Sequence, residues 1–153
     1  MVVRMLMKEL KQYRKTLLNK IVSSEKLVQL VLNNYSSNSL HLIKDHIFPY
    51  PHIINTITKE GTYITVKISV PKVYNKTYKS LYIWIYIFSH ENLVDTNEGL
   101  RTDLIAEEIE KVLNGSLDFG LGRLELDTVE DFNTPNSFLG IVMRYVATDF
   151  NRV

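Results

Sequence analysis

Leu81-Tyr82-Ile83-Trp84-Ile85-Tyr86-Ile87-Phe88 is the stretch on which the fold turns. Side chains alternate across a strand, so Leu81, Ile83, Ile85 and Ile87 share one face and Tyr82, Trp84, Tyr86 and Phe88 the other. A strand without a polar face belongs in the middle of a sheet, with helices on one side and other structure on the second. The aromatic stripe has two readings: core beneath a helix, or a subunit interface, where aromatic residues are enriched. Upstream, Thr62 to Val70 alternates strictly, with Ile64, Val66, Ile68 and Val70 opposite Tyr63, Thr65, Lys67 and Ser69. Between the two runs, Pro71 to Ser80 is too long for a tight turn and carries Lys72, Lys76, Lys79, Tyr74 and Tyr78. It reads as a projecting hairpin loop.

Helical spacing flanks these strands. From Met5 to Val22, Leu6, Leu10, Tyr13, Leu17, Leu18 and Ile21 form one apolar stripe, with Lys8, Lys11, Arg14, Lys15 and Lys20 opposite. Ser23-Ser24 offers an N-cap for a second helix, Glu25 to Leu32. Leu40 to Ile47 reads as a further helical turn, which Phe48-Pro49-Tyr50-Pro51 cannot continue. Leu100 to Leu113 buries Leu100, Leu104, Ile105, Ile109, Val112 and Leu113, stops at Asn114-Gly115, and pairs Glu107 with Lys111. Leu121 to Val129 and Leu139 to Phe150 read as strands separated by the turn Asn133-Thr134-Pro135-Asn136, with Leu139, Ile141, Met143, Tyr145 and Ala147 on one face of the second. This order predicts the α+β class: an antiparallel or mixed β-sheet of four to five strands with helices packed on one face. One domain is expected over residues 1–153, with a helical part at 1–45 and the sheet plus helix 100–114 in 46–153.

An apolar fraction of 45% and a charged fraction of 23% are those of an ordinary globular protein. There is no cysteine, which excludes disulfides and thiolate metal sites. Met1 to Met7 is interrupted by Arg4 and followed by Lys8, so it does not read as a signal peptide, and no stretch has the length of a membrane span. A soluble, unexported protein is the expectation. The net charge of +1 conceals a split: residues 1–26 carry +5 and residues 27–90 carry +4, whereas residues 91–131, with twelve acids against three bases, carry −9. Such a chain suits head-to-tail association better than non-specific nucleic-acid binding, which uses one dominant basic face.

Catalytic chemistry finds no foothold in the residue pattern. His41, His46, His52 and His90 are scattered, and His41 with Asp45 supplies only two ligands at helical spacing, so no metal is expected. Phe119-Gly120-Leu121-Gly122-Arg123 lacks the third glycine of a dinucleotide fingerprint and precedes a strand, so its glycines read as a turn. No nucleophile motif is present, and Glu107, Glu108 and Glu110 read as the exposed face of a helix. Asp103, beside Arg101 in that helix's first turn, reads as a dipole-stabilising acid. The second helix, Lys26-Leu27-Val28-Gln29-Leu30-Val31-Leu32, is too apolar to read DNA bases. The expectation is a non-enzyme without cofactor or metal.

Several stretches resemble a family of phage and prophage proteins from low-GC Gram-positive bacteria. They are Ile47-Phe48-Pro49-Tyr50-Pro51, Val70-Pro71-Lys72-Val73 with Asn75-Lys76, Leu81-Tyr82-Ile83-Trp84, the run from Glu98 to Ile109, Leu113-Asn114-Gly115, Asp118 to Arg123, and Thr148-Asp149-Phe150-Asn151. The resemblance covers about residues 45–151 and implies a head–tail connection, neck or tail-completion protein. The element order is similar to that of tail terminators, which implies a hexameric ring capping the tail tube beneath the head. The implied partners are further copies of the chain, the tail tube protein, a head-completion or connector protein and the tail sheath, with DNA passing through the lumen. The implied location is the virion neck or tail, after synthesis in the host cytoplasm. Lys72, Lys76, Tyr78 and Lys79 on the loop, Arg101 and Asp103 on the helix, and Arg123 after the glycine turn are the expected interface residues. Charge reversal at Lys76 with Lys79 is expected to weaken assembly while the monomer stays folded. The alternatives are a head-closure or adaptor ring subunit in the same neck and, from a different class, a small DNA-binding regulator.

Overall fold

The computed structural model describes residues 6–32, 45–51, 59–70, 78–120 and 122–150. Two helices open the chain, α1 (Leu6–Val22) and α2 (Glu25–Val31). Neither contains glycine or proline, and α1 is rich in Leu and Lys, residues that lose little freedom in a helix. Ser24 separates them and caps α2, its hydroxyl accepting from the Leu27 N–H. The expected second helix therefore ends one residue early, with Leu32 as its C-cap.

Among the described residues, seven strands and a third helix follow: β1 (Ile47–Phe48), β2 (Thr62–Ser69), β3 (Tyr78–His90), β4 (Asp95–Thr96), β5 (Gly99–Leu100), α3 (Arg101–Leu113), β6 (Glu125–Asn133) and β7 (Phe138–Phe150). Five form a mixed sheet in the order β1-β2-β3-β7-β6, with β1 parallel to β2 and the other pairs antiparallel. β4 and β5 form a separate small hairpin. The fold is α+β, and β3 is central as its two apolar faces require.

Helix residues Leu17, Ile21, Leu27, Val31, Ile105, Ile109 and Leu113 pack with the strand residues Ile64, Val66, Leu81, Ile83, Ile85, Ile87, Ile141, Met143, Tyr145 and Ala147 in one core. All three described helices thus cover the same side of the sheet. Full burial of a Leu, Ile or Val side chain contributes about 1.5–3 kcal/mol, so this layer is the main source of stability.

Four sequence readings need correction. Ile47 belongs to β1 and not to the end of a helical turn: its partner in register is Ile64, and Ile64 N–H donates to His46 O. Residues 40–44 of that expected turn lie outside the described residues. Tyr78, Lys79 and Ser80 belong to β3 and not to a loop; residues 71–77 lie outside the described residues. Leu100 is exposed in β5 as the N-cap residue of α3, not part of its buried stripe. The sixth strand begins at Glu125, later than expected, because Gly115 N–H donates to Leu124 O and Leu124 N–H to Ser116 O, which holds Leu124 outside the strand; Leu121 lies outside the described residues. Gly115 and Gly120 adopt positive φ (81° and 121°), as glycine permits there.

Candidate assembly surfaces

The sheet face turned away from the helices divides into two parts. At the His90 end, Phe48, Tyr63, Phe88 and Phe138 form a second buried cluster, with Tyr63 and Phe88 stacked at 5.5 Å and Phe88 edge-on to Phe138 at 5.7 Å. Tyr63 Oη donates to Lys59 O, and burial raises its phenol pKa. At the other end Tyr82, Trp84 and Tyr86 are half-buried. Register places Lys67 and Arg144 on either side of Trp84. The Arg144 guanidinium lies 4.9 Å from the Tyr82 ring and 5.1 Å from the Trp84 ring, and Lys67 Nζ lies 5.5 Å from Trp84. Arg144 Nε donates to Asp127 Oδ2 at 2.7 Å, which fixes the guanidinium over the rings. The aromatic stripe is not uniform: Phe88 is core although no described helix covers it, Tyr82 and Trp84 lie beneath the chain's own cations, and Tyr86 meets Phe132 edge-on at 6.1 Å.

Exposed acids gather on two elements, α3 and β6. Asp103, Glu107 and Glu110 are exposed on α3, and Glu125, Asp127, Glu130 and Asp131 are exposed on β6. Glu108, expected on that exposed face, is instead buried. It accepts from Lys111 Nζ at 2.9 Å and lies 3.7 Å from Lys26 Nζ. The Lys111 hydrogen bond holds its carboxyl below the usual carboxylate range. The expected Glu107–Lys111 pair is present at 3.9 Å, but Glu108 is Lys111's closer partner. Asp118 is likewise held low by Lys20, 2.7 Å away.

Of the seven expected interface residues, the four whose side chains are described do not gather into one patch. Lys72 and Lys76 lie outside the described residues, as does the side chain of Tyr78. Lys79 is buried, 6% exposed, with Nζ 3.2 Å from Glu9 Oε2 on α1. It ties the first helix to the central strand, so its reversal would strike the fold before any interface. Arg101 is half-buried: Nε donates to Leu93 O and Nη1 to Leu30 O, joining α3 to the turn after β3 and to α2, and burial lowers its pKa. Asp103 and Arg123 are exposed, the first in the opening turn of α3 and the second beyond its end, with about 15 Å of helix between them.

Sequence reasoning missed Arg144 and Asp127, which only the register of β6 on β7 brings together. It noted Lys8, Lys11 and Lys15 as a polar face but gave them no role; all three are exposed on α1 at spacings of three and four. Among the described residues, no three His, Asp or Glu side chains gather closely enough to hold a metal ion. The grooves are shallow; one of about 370 Å³ lies between the start of α3 and the β6–β7 hairpin, lined by Leu100, Thr102, Asp131, Phe132 and Leu139. Among the described residues no helix is long and apolar enough to cross a membrane.

No curated protein matches the chain. Residues 12–147 match the family model described as YomW, the name of a Bacillus prophage-derived protein, so this phage-related chain belongs to the YomW family.

Proposed function

We propose that the chain is a non-enzymatic structural subunit of a phage neck, which associates head to tail into a ring that ends the tail tube and joins it to the head. The observation that carries this reading is the separation of charge on the folded surface of a phage-related protein. Exposed lysines line α1, and exposed carboxylates line α3 and β6. A surface with both signs in separate places complements a copy of itself in a heterologous contact, and such contacts close into rings when the rotation permits. The α2 helix buries Leu27, Val28 and Val31 against α3 and the sheet, which disfavours its use as a recognition helix for DNA.

Mass spectrometry of purified phage particles tests the proposal, followed by electron microscopy of the particle neck. The expected result is the chain present at a fixed low copy number and visible as a ring between head and tail tube. Particles complete without the chain would overturn it.

A further inference from the structure

β6 closes one side of the sheet, and no described strand pairs with its outer edge. The edge presents Glu125, Glu130 and Asp131 to solvent, while Asp127 is held by Arg144. Beside it stand three of the large apolar side chains that the fold leaves exposed: Val129 (47%), Leu100 (42%) and Leu139 (39%). An open strand edge with apolar residues beside it is an association surface, and proteins restrict such edges with charge. Four acids and no base in nine residues make β6 repel its own counterpart, so a two-fold β6–β6 contact is disfavoured. A basic partner suits the edge instead.

The same chain carries such a surface. Lys8, Lys11 and Lys15 are exposed along about 10 Å of one α1 face, and no described acid pairs with them. The other α1 charges are committed within the fold: Lys20 to Asp118, Glu9 to Lys79, and Arg14 to the Pro49 carbonyl. Glu125 to Asp131 spans about 20 Å, which long lysine stems reach from a 10 Å row. We infer that the β6 edge of one copy docks on the Lys8–Lys11–Lys15 face of the next, a heterologous contact between second copies of this chain. This inference rests on the ring reading and locates its contact.

The test uses the full chain in low salt, followed by sedimentation velocity at concentrations up to about 1 mM. Wild type is expected to self-associate, less so as salt rises. The triple variants K8E/K11E/K15E and E125K/E130K/D131K should each be monomeric, with far-UV circular dichroism matching wild type. Mixed one to one they should associate again, because each then offers what the other lacks. The neutral variant K8Q/K11Q/K15Q should bind itself roughly tenfold more weakly than wild type. A wild type monomeric throughout, triple variants that associate like wild type, or a mixture that stays monomeric would each overturn the contact. The wider ring reading is judged separately, by whether the chain is found in particles.

Discussion

Gly140 sits in β7 opposite Phe88, where a methyl group has no room. A Cβ placed on it would lie 2.6 Å from the Ile87 carbonyl oxygen and 2.4 Å from Phe132 Cζ. Both are well inside van der Waals contact. The Phe132 ring can rotate away, at the expense of its edge contacts with Tyr86 and Phe88 (6.1 and 6.5 Å). The carbonyl belongs to the central strand and yields only if β3 and β7 separate locally. Overpacking of this kind costs about 1–3 kcal/mol, and the lower backbone entropy of unfolded alanine returns about 0.4–1 kcal/mol. Gly140→Ala should therefore destabilise by about 2 kcal/mol, which for a domain of this size lowers Tm by roughly 4–8 °C. Urea unfolding followed by far-UV circular dichroism measures it. Repeating the substitution in a Phe132→Leu background separates the two clashes, because leucine relieves the ring contact and leaves the carbonyl. About half of the penalty, roughly 1 kcal/mol, should remain there. A Gly140→Ala protein within about 0.5 kcal/mol of wild type would mean that β7 holds room for a methyl group beside β3.

Lys79→Met should destabilise by about 2 kcal/mol by removing the ion pair that ties Glu9 on α1 to the central strand, and Lys79→Met with Glu9→Leu should recover part of that, since a buried pair is worth little against an apolar replacement. Denaturant midpoints of the two variants check it. Glu108→Gln should cost stability at pH 7, and the difference from wild type should fade in acid. The folded carboxyl titrates below its unfolded value of about 4.3, so its contribution is present above that pH and is lost as pH falls through the folded value. Urea melts at neutral and acidic pH give the sign. Arg144→Ala should cost about 1 kcal/mol through lost cation–π contact and shift the emission of Trp84, the chain's one tryptophan, to longer wavelength as its ring meets water. Unchanged emission would mean that Arg144 does not cover the ring.

The long periodic elements were legible because their residues carry the period of the structure they form. α1 and α3 repeat apolar residues every three or four positions, and their observed bounds, Leu6–Val22 and Arg101–Leu113, lie within a residue of the expected ones. β7 was legible for the same reason, although Leu139 on its core-facing register is exposed at the hairpin end. β1 escaped because two residues hold no period: it exists through hydrogen bonds to β2. β6 was misplaced by four residues because an edge strand with acids on both faces has no apolar alternation to read. The candidate site fared worse. Arg101 and Lys79 looked like surface charges, yet their partners, Leu30 O and Glu9, lie 71 and 70 residues away in sequence.

The α+β class, the central place of Leu81–Phe88 and the opposed charges of the two halves are written in the order of the residues, since each follows from local pattern or composition. Tertiary structure alone decided which charges remain on the surface. Burial and pairing across the fold removed Lys79, Arg101 and Glu108 from it and left Lys8, Lys11 and Lys15 on one helix and Glu125, Glu130 and Asp131 on one edge. A charge is kept or neutralised by what the fold brings within a few ångströms of it, and that distance is set by contacts between residues far apart in the chain.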